Sequence, residues 1–171
     1  MKQLAMLAGV LVGIIFLAYW SSKPGNLESL FLRAGVPLTT QTPKPEEKVI
    51  TVGSSQFKVE IAQTEQARQT GLSEKENLPE DTGMLFIFEK VDGQPTFWMK
   101  GMKFPVDMIW INDNTVAEIT PNVPVIPASL PDDRIPRYAS RSKVNYVLEV
   151  AGGVATKRGI KAGNTVILPQ F

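Results

Sequence analysis

Three ionisable side chains, Lys100, Asp107 and Glu149, stand in stretches that are otherwise apolar. Burying a charge costs on the order of several kcal/mol unless it is paired or reached by water. Each therefore needs a partner or a wet cleft, and two chemistries follow. If Asp107 and Glu149 face one cavity, they form an acid–base pair for a hydrolase or transferase, with Lys100 activating one of them. A separation of roughly 5–10 Å would suit carbohydrate cleavage. Alternatively, Lys100, Asp107 and Glu149 line a ligand cleft with Trp98, whose flat face can stack on a sugar or another planar molecule. The plainer reading stays open beside both: the charges pair with one another or with Arg68 and pin the fold, and Trp98 is an ordinary core or interface tryptophan. No residue is assigned a catalytic role.

The elements that must position these groups follow from apolar periodicity. Ile50 and Val52, then Phe57, Val59 and Ile61, alternate with polar residues around Gly53-Ser54-Ser55, the pattern of a half-buried hairpin. Thr64 suits an N-cap, Glu65–Thr70 a short helix, and Gly71 its stop. Met84, Phe86 and Phe88 alternate with Leu85 and Ile87, so a strand there is apolar on both faces and belongs in the middle of a sheet. Thr96–Lys100 reads as a further strand, with Trp98 and Lys100 on one face. Val106–Ile111 puts Asp107 on the side of Ile109 and Ile111. After the turn Asn112-Asp113-Asn114, Thr115–Ile119 returns antiparallel. Val144–Val150 puts Glu149 on the side of Val147, Gly153–Arg158 suits a helical turn, and Thr165–Leu168 is a last short strand. Thr120–Lys143, rich in proline and without a period, is a long functional loop or a flap. The fold class expected is α+β: a mainly antiparallel small β-barrel or curved sheet with two short helices, preceded by one N-terminal transmembrane helix.

Composition narrows the chemistry. The chain has 171 residues, a formal net charge of +1, and neither cysteine nor histidine. That excludes zinc sites of the Cys/His type, disulfides, cysteine nucleophiles and any triad with a histidine base. A charge so near zero argues against a nucleic-acid partner. No EF-hand or phosphate-loop spacing occurs, so neither a metal nor a cofactor is expected. Met84, Met99, Met102 and Met108 sit at strand positions and suit gap filling in a core. Arg134, Arg137, Arg141 and Lys143 make the long loop locally basic, offset by Asp132 and Asp133.

The amino-terminal end has another character. Leu4–Trp20 is an unbroken apolar run, and a helix of that length at ~1.5 Å per residue covers most of a ~30 Å hydrocarbon core. Tyr19 and Trp20 suit the membrane interface. The run is longer than a usual signal core and no A-x-A-like site follows it, which favours an uncleaved anchor over secretion after cleavage. The organisation expected is a membrane anchor or signal segment at 1–22, a linker at 23–48 and a soluble domain at 49–171. The positive amino terminus favours an extracytoplasmic soluble domain. The expected partners are the membrane, through that helix, and a small-molecule or glycan ligand.

Four motifs occur in order: A-R-Q-T-G-L from Ala67, L-P-E-D-T-G-M-L-F-I-F from Leu78, F-W-M-K-G-M-K-F-P-V-D from Phe97, and Y-V-L-E-V-A-G-G from Tyr146. Together they resemble domain-of-unknown-function family 192, over about Thr51 to Leu168. The resemblance implies an envelope-associated domain with no established reaction. It adds Tyr138 to Trp98, Lys100, Asp107, Glu149 and Arg68 as ligand-binding candidates. Gly101 departs from the family pattern, which usually has asparagine there. Ser73 and Asn164 depart where methionine and aspartate are common.

Overall fold

A computed structural model describes residues 48–88 and 94–171. The expected anchor Leu4–Trp20, the spacer up to residue 47 and most of the turn at 91–94 lie outside the described residues. Among the described residues no helix is long and apolar enough to cross a membrane. They all fall within one compact unit, Pro45–Phe171.

Among the described residues seven strands form one sheet. β1 (Lys48–Val52) and β2 (Ser55–Ala62) make the expected hairpin, pairing from Lys48↔Val59 to Val52↔Ser55. Gly53 turns the corner at φ +59°, a conformation open to glycine at little cost. Helix α1 (Glu65–Thr70) begins where the Thr64 hydroxyl accepts from Ala67 N–H at 3.1 Å, and it ends at Gly71. It forms the crossover to β3 (Thr82–Ile87), which runs parallel to β2. β4 (Val106–Asn112) and β5 (Thr115–Val123) form a bulged hairpin. β6 (Tyr146–Ala151) lies between β4 and β3, helix α2 (Val154–Lys157) follows, and β7 (Val166–Ile167) pairs with β1. The order is β5-β4-β6-β3-β2-β1-β7. The two edges meet: Val116 N–H donates to Asn164 O at 2.9 Å and Val166 N–H to Asn114 O at 2.8 Å. The sheet is thereby a nearly closed barrel, which leaves little edge for stray pairing.

Alternation divides the apolar residues between two cores. The lumen takes side chains from all seven strands, among them Ile50, Phe57, Leu85, Ile109, Leu148 and Val166. Val154 and Ala155 of α2 pack into the same cluster. A second core lies on the outer face of β3, β6 and β4, around Met84, Phe86, Met108, Trp110 and Val147. Such a two-sided strand is what the alternation in Met84–Phe88 requires, and β3 is the middle strand of the seven.

Thr96–Lys100 is not a strand. Its ladder is a single bridge, in which Phe97 N–H donates to Tyr138 O at 2.8 Å and Tyr138 N–H to Phe97 O at 2.9 Å. The segment crosses the outer face instead, with Phe97 packed edge-on to Phe86 and Trp110. Pro95 has no N–H to extend a ladder, and Gly101 turns the chain at φ +74°. β5 runs past the expected Ile119 to Val123. The loop after it is tied down at several points. Ile135 is buried, and the Glu118 carboxylate accepts from Arg141 N–H at 2.9 Å. That backbone hydrogen bond is the main reason the Glu118 carboxyl is held below its ordinary pKa.

Candidate functional site

The outer core is incompletely covered, and the opening is a cavity of about 430 Å³. Its wall comes from α1 and the turn after it, through Arg68, Gly71 and Ser73. Phe86 of β3, Phe88 just after it, and Phe97, Trp98 and Lys100 of the crossing segment supply further walls, while Arg137 reaches in from the long loop. Phe97 organises the aromatic part, with ring centroids 4.9 Å from Phe86 and 6.1 Å from Phe88, both edge-to-face. Glu149 of β6 also lines the cavity.

Glu149 is the unusual member. It is 4% exposed, and among the described residues it has no hydrogen-bond or ion-pair partner. No wholly inaccessible side-chain polar atom is left unsatisfied in the described protein, so the Glu149 carboxyl oxygens keep an opening to the cavity. Burial alone, with no charge or donor to offset it, pushes this carboxyl from 4.5 up to about 8. At neutral pH it is mainly the uncharged acid, a hydrogen-bond donor at the foot of an aromatic pocket.

The cations at the mouth are engaged elsewhere. Lys100 is exposed and its Nζ lies 2.6 Å from Asp132 Oδ2. Arg68 donates from Nη1 to Gln63 O and, at 3.0 Å, to Ile87 O, and it lies 5.4 Å from the Phe88 ring centre. It holds α1 against the end of β3. The Arg137 guanidinium lies 3.9 Å from the Trp98 ring centre, and Lys100 Nζ lies 5.4 Å from it. The aromatic surface expected to stack on a sugar is thus already contacted by a cation.

Asp107 belongs to a different place. It is fully buried, and its carboxylate accepts three backbone N–H groups: Asn122 at 2.6 Å, Gly153 at 2.9 Å and Ala155 at 2.7 Å. Gly153 begins α2 without a side-chain cap of its own, so Asp107 caps that helix from across the sheet. Met108 pairs with Glu149, and Asp107 with Val150. Successive side chains alternate, so Asp107 takes the lumen side with Ile109 while Glu149 takes the outer side with Val147. The expected acid–base pair of Asp107 and Glu149 is therefore not assembled, and Lys100 is bonded to neither.

Of the candidate residues, Trp98, Lys100, Arg68 and Glu149 meet at the cavity, whereas Asp107 does not. Tyr138 contributes the backbone bridge to Phe97 that holds the crossing segment down. Sequence reasoning passed over Arg137 and Phe97 as site residues. Arg137 had a signal only in the basic character of its loop, and Phe97 read as one apolar residue among many. Gly101 has little around it: an added Cβ would meet only Ser73 Cβ, at 3.4 Å. Its positive φ is one that asparagine tolerates better than most residues, so the departure there preserves the backbone path. Among the described residues no cluster of three acidic side chains could hold a metal ion.

Solved structures share the fold. A protein of unknown function from Novosphingobium aromaticivorans DSM 12444 matches at 28% identity and a TM-score of 0.61, over 70% of this chain and 83% of that one. A candidate transcription regulator from Sinorhizobium meliloti 1021 matches at 27% identity and a TM-score of 0.62, over 71% of this chain and 93% of that one. No functionally curated protein matches. The family model described as "Uncharacterized ACR" matches residues 48–168, and the chain belongs to domain-of-unknown-function family 192.

Proposed function

We propose that the chain is a membrane-tethered domain that binds a small ligand in the outer-face cavity. Glu149 carries the reading. A buried carboxyl with no partner among the described residues is costly, and a ligand that satisfies it recovers part of that cost. The structural alternative, in which the protein itself satisfies a buried charge, fits Asp107 through three backbone N–H groups and fails at Glu149 among the described residues. The two-carboxylate enzyme loses its pair, because the strands place those groups on opposite faces. The tether rests on the apolar run Leu4–Trp20, and an extracytoplasmic soluble domain rests on the charge at its amino end.

Two measurements test the two parts. The full-length chain should stay with membranes through alkaline extraction and keep its first residues by mass; release with a shortened amino terminus would overturn the tether. A metabolite and glycan panel, read by backbone amide shifts, should move resonances at Glu149, Phe97 and Ser73. A panel that moves none of them would overturn the ligand site. A glycan that binds should displace Arg137 from Trp98, since that guanidinium already contacts the ring.

A further inference from the structure

The class of ligand is constrained by how charge is layered in the cavity. This step rests on the ligand-site reading above. Three cations, Arg68, Lys100 and Arg137, line the pocket. Glu65 is the acidic group that lines the pocket beside them, Asp132 pairs with Lys100 and leaves the rim net positive, and Glu149 is the buried one. Between lie the apolar rings of Phe86, Phe88 and Phe97. No cation contributes to the displacement of the Glu149 carboxyl from its ordinary value. The positive groups therefore act at the mouth and leave the carboxyl to its own burial. An arriving ammonium would meet a net positive rim, whereas an arriving anion would be drawn to it.

We infer that the cavity takes a small organic anion with an apolar or aromatic body. Its charged end faces Arg137 and Lys100, its body lies along Phe88 and Phe97, and a neutral acceptor atom or ring face meets the protonated Glu149. The volume of about 430 Å³ lies in the range usual for small-molecule sites. Neither rim cation is fixed by burial: Lys100 and Asp132 form an exposed pair, which a ligand carboxylate or phosphate can replace at little cost.

Four probes with one body and different charge test this on the full-length chain in detergent micelles: benzoate, phenyl phosphate, benzyl alcohol and benzylamine. Calorimetry and amide shifts are read at pH 6.5 and pH 9. The two anions should bind more tightly than the alcohol, and the amine most weakly. Anion affinity should fall about tenfold at pH 9, because only the fraction with Glu149 protonated, titrating at about 8, accepts the ligand. E149Q keeps a donor of similar shape, so it should bind the anions at both pH values and lose that fall. K100A/R137A should abolish the preference for anions over the alcohol and leave the fold unchanged by amide spectrum. Preference for benzylamine, growing from pH 6.5 to 9, would overturn the anion inference while keeping the site, since the amine would then be pairing with an ionised Glu149. No shift at Glu149, Phe97 or Ser73 with any of the four would overturn the inference and the ligand site together.

Discussion

Two carboxyl groups, Asp107 and Glu149, sit on neighbouring strands of one sheet, both almost completely buried. They have opposite fates. Asp107 receives three backbone N–H groups and organises the end of the barrel, tying β5 and α2 to β4. Among the described residues Glu149 receives none, and it opens on a cavity lined by aromatic rings. Burial by itself therefore says little about role. What distinguishes structure from site is whether the protein has supplied the partners that the buried group demands. The lumen is finished in this sense, and the outer face is not.

The comparison can be broken first at Asp107. Asp107→Ala removes the acceptor shared by three backbone donors, of which Ala155 N–H is buried, and the expected loss is on the order of 3 kcal/mol. Urea unfolding at unchanged slope measures it. A loss below about 1 kcal/mol would remove the contrast between the two carboxyls.

The second test concerns Glu149 and pH. Below 4.5 this group is protonated in both the folded and the unfolded chain. As pH rises from 4.5 to about 8, the unfolded chain loses the proton while the folded chain keeps it, so stability falls across that window and levels off above it. The fall is on the order of a few kcal/mol. Glu149→Gln should remove it, leaving the variant more stable than the parent at pH 8.5 and about equal at pH 4. Parallel pH profiles for the two proteins would show that Glu149 has a partner after all.

Packing sharpens the same contrast at smaller magnitude. A Cβ on Gly83 would lie 2.6 Å from the Glu149 carbonyl oxygen and 3.1 Å from Leu148 Cδ1, so β3 and β6 would have to separate. Gly83→Ala should cost about 1–3 kcal/mol in thermal or urea unfolding. Gly101→Asn, on the segment that crosses the outer face, should change stability by less than about 1 kcal/mol, because the left-handed backbone tolerates asparagine and only Ser73 is near. Equal costs at the two glycines would deny the difference in slack between the faces.

Some of this was legible in the residues. The capped helix Glu65–Thr70 was readable because Thr64, Glu65 and Gly71 each act locally. The central strand was readable because Met84–Phe88 is apolar on both faces, which only an interior position satisfies. Thr96–Lys100 misled because alternating Phe97 and Met99 suit a strand, while their actual surroundings are a sheet face that the segment crosses. The cavity was not legible. It needs Arg68, Phe88, Trp98, Arg137 and Glu149 together, and these come from five separate stretches of the chain.

What the sequence alone determined was parity: Asp107 goes with Ile109 and Ile111, and Glu149 goes with Val147. Strand geometry imposes that period within each segment, whatever the rest of the fold does. Which parity faced the lumen and which the outside was decided only in the assembled sheet, where Met108 stands opposite Glu149 and Asp107 opposite Val150. That register joins segments far apart in the chain and is set by closing the whole barrel around its lumen, so no local pattern could contain it.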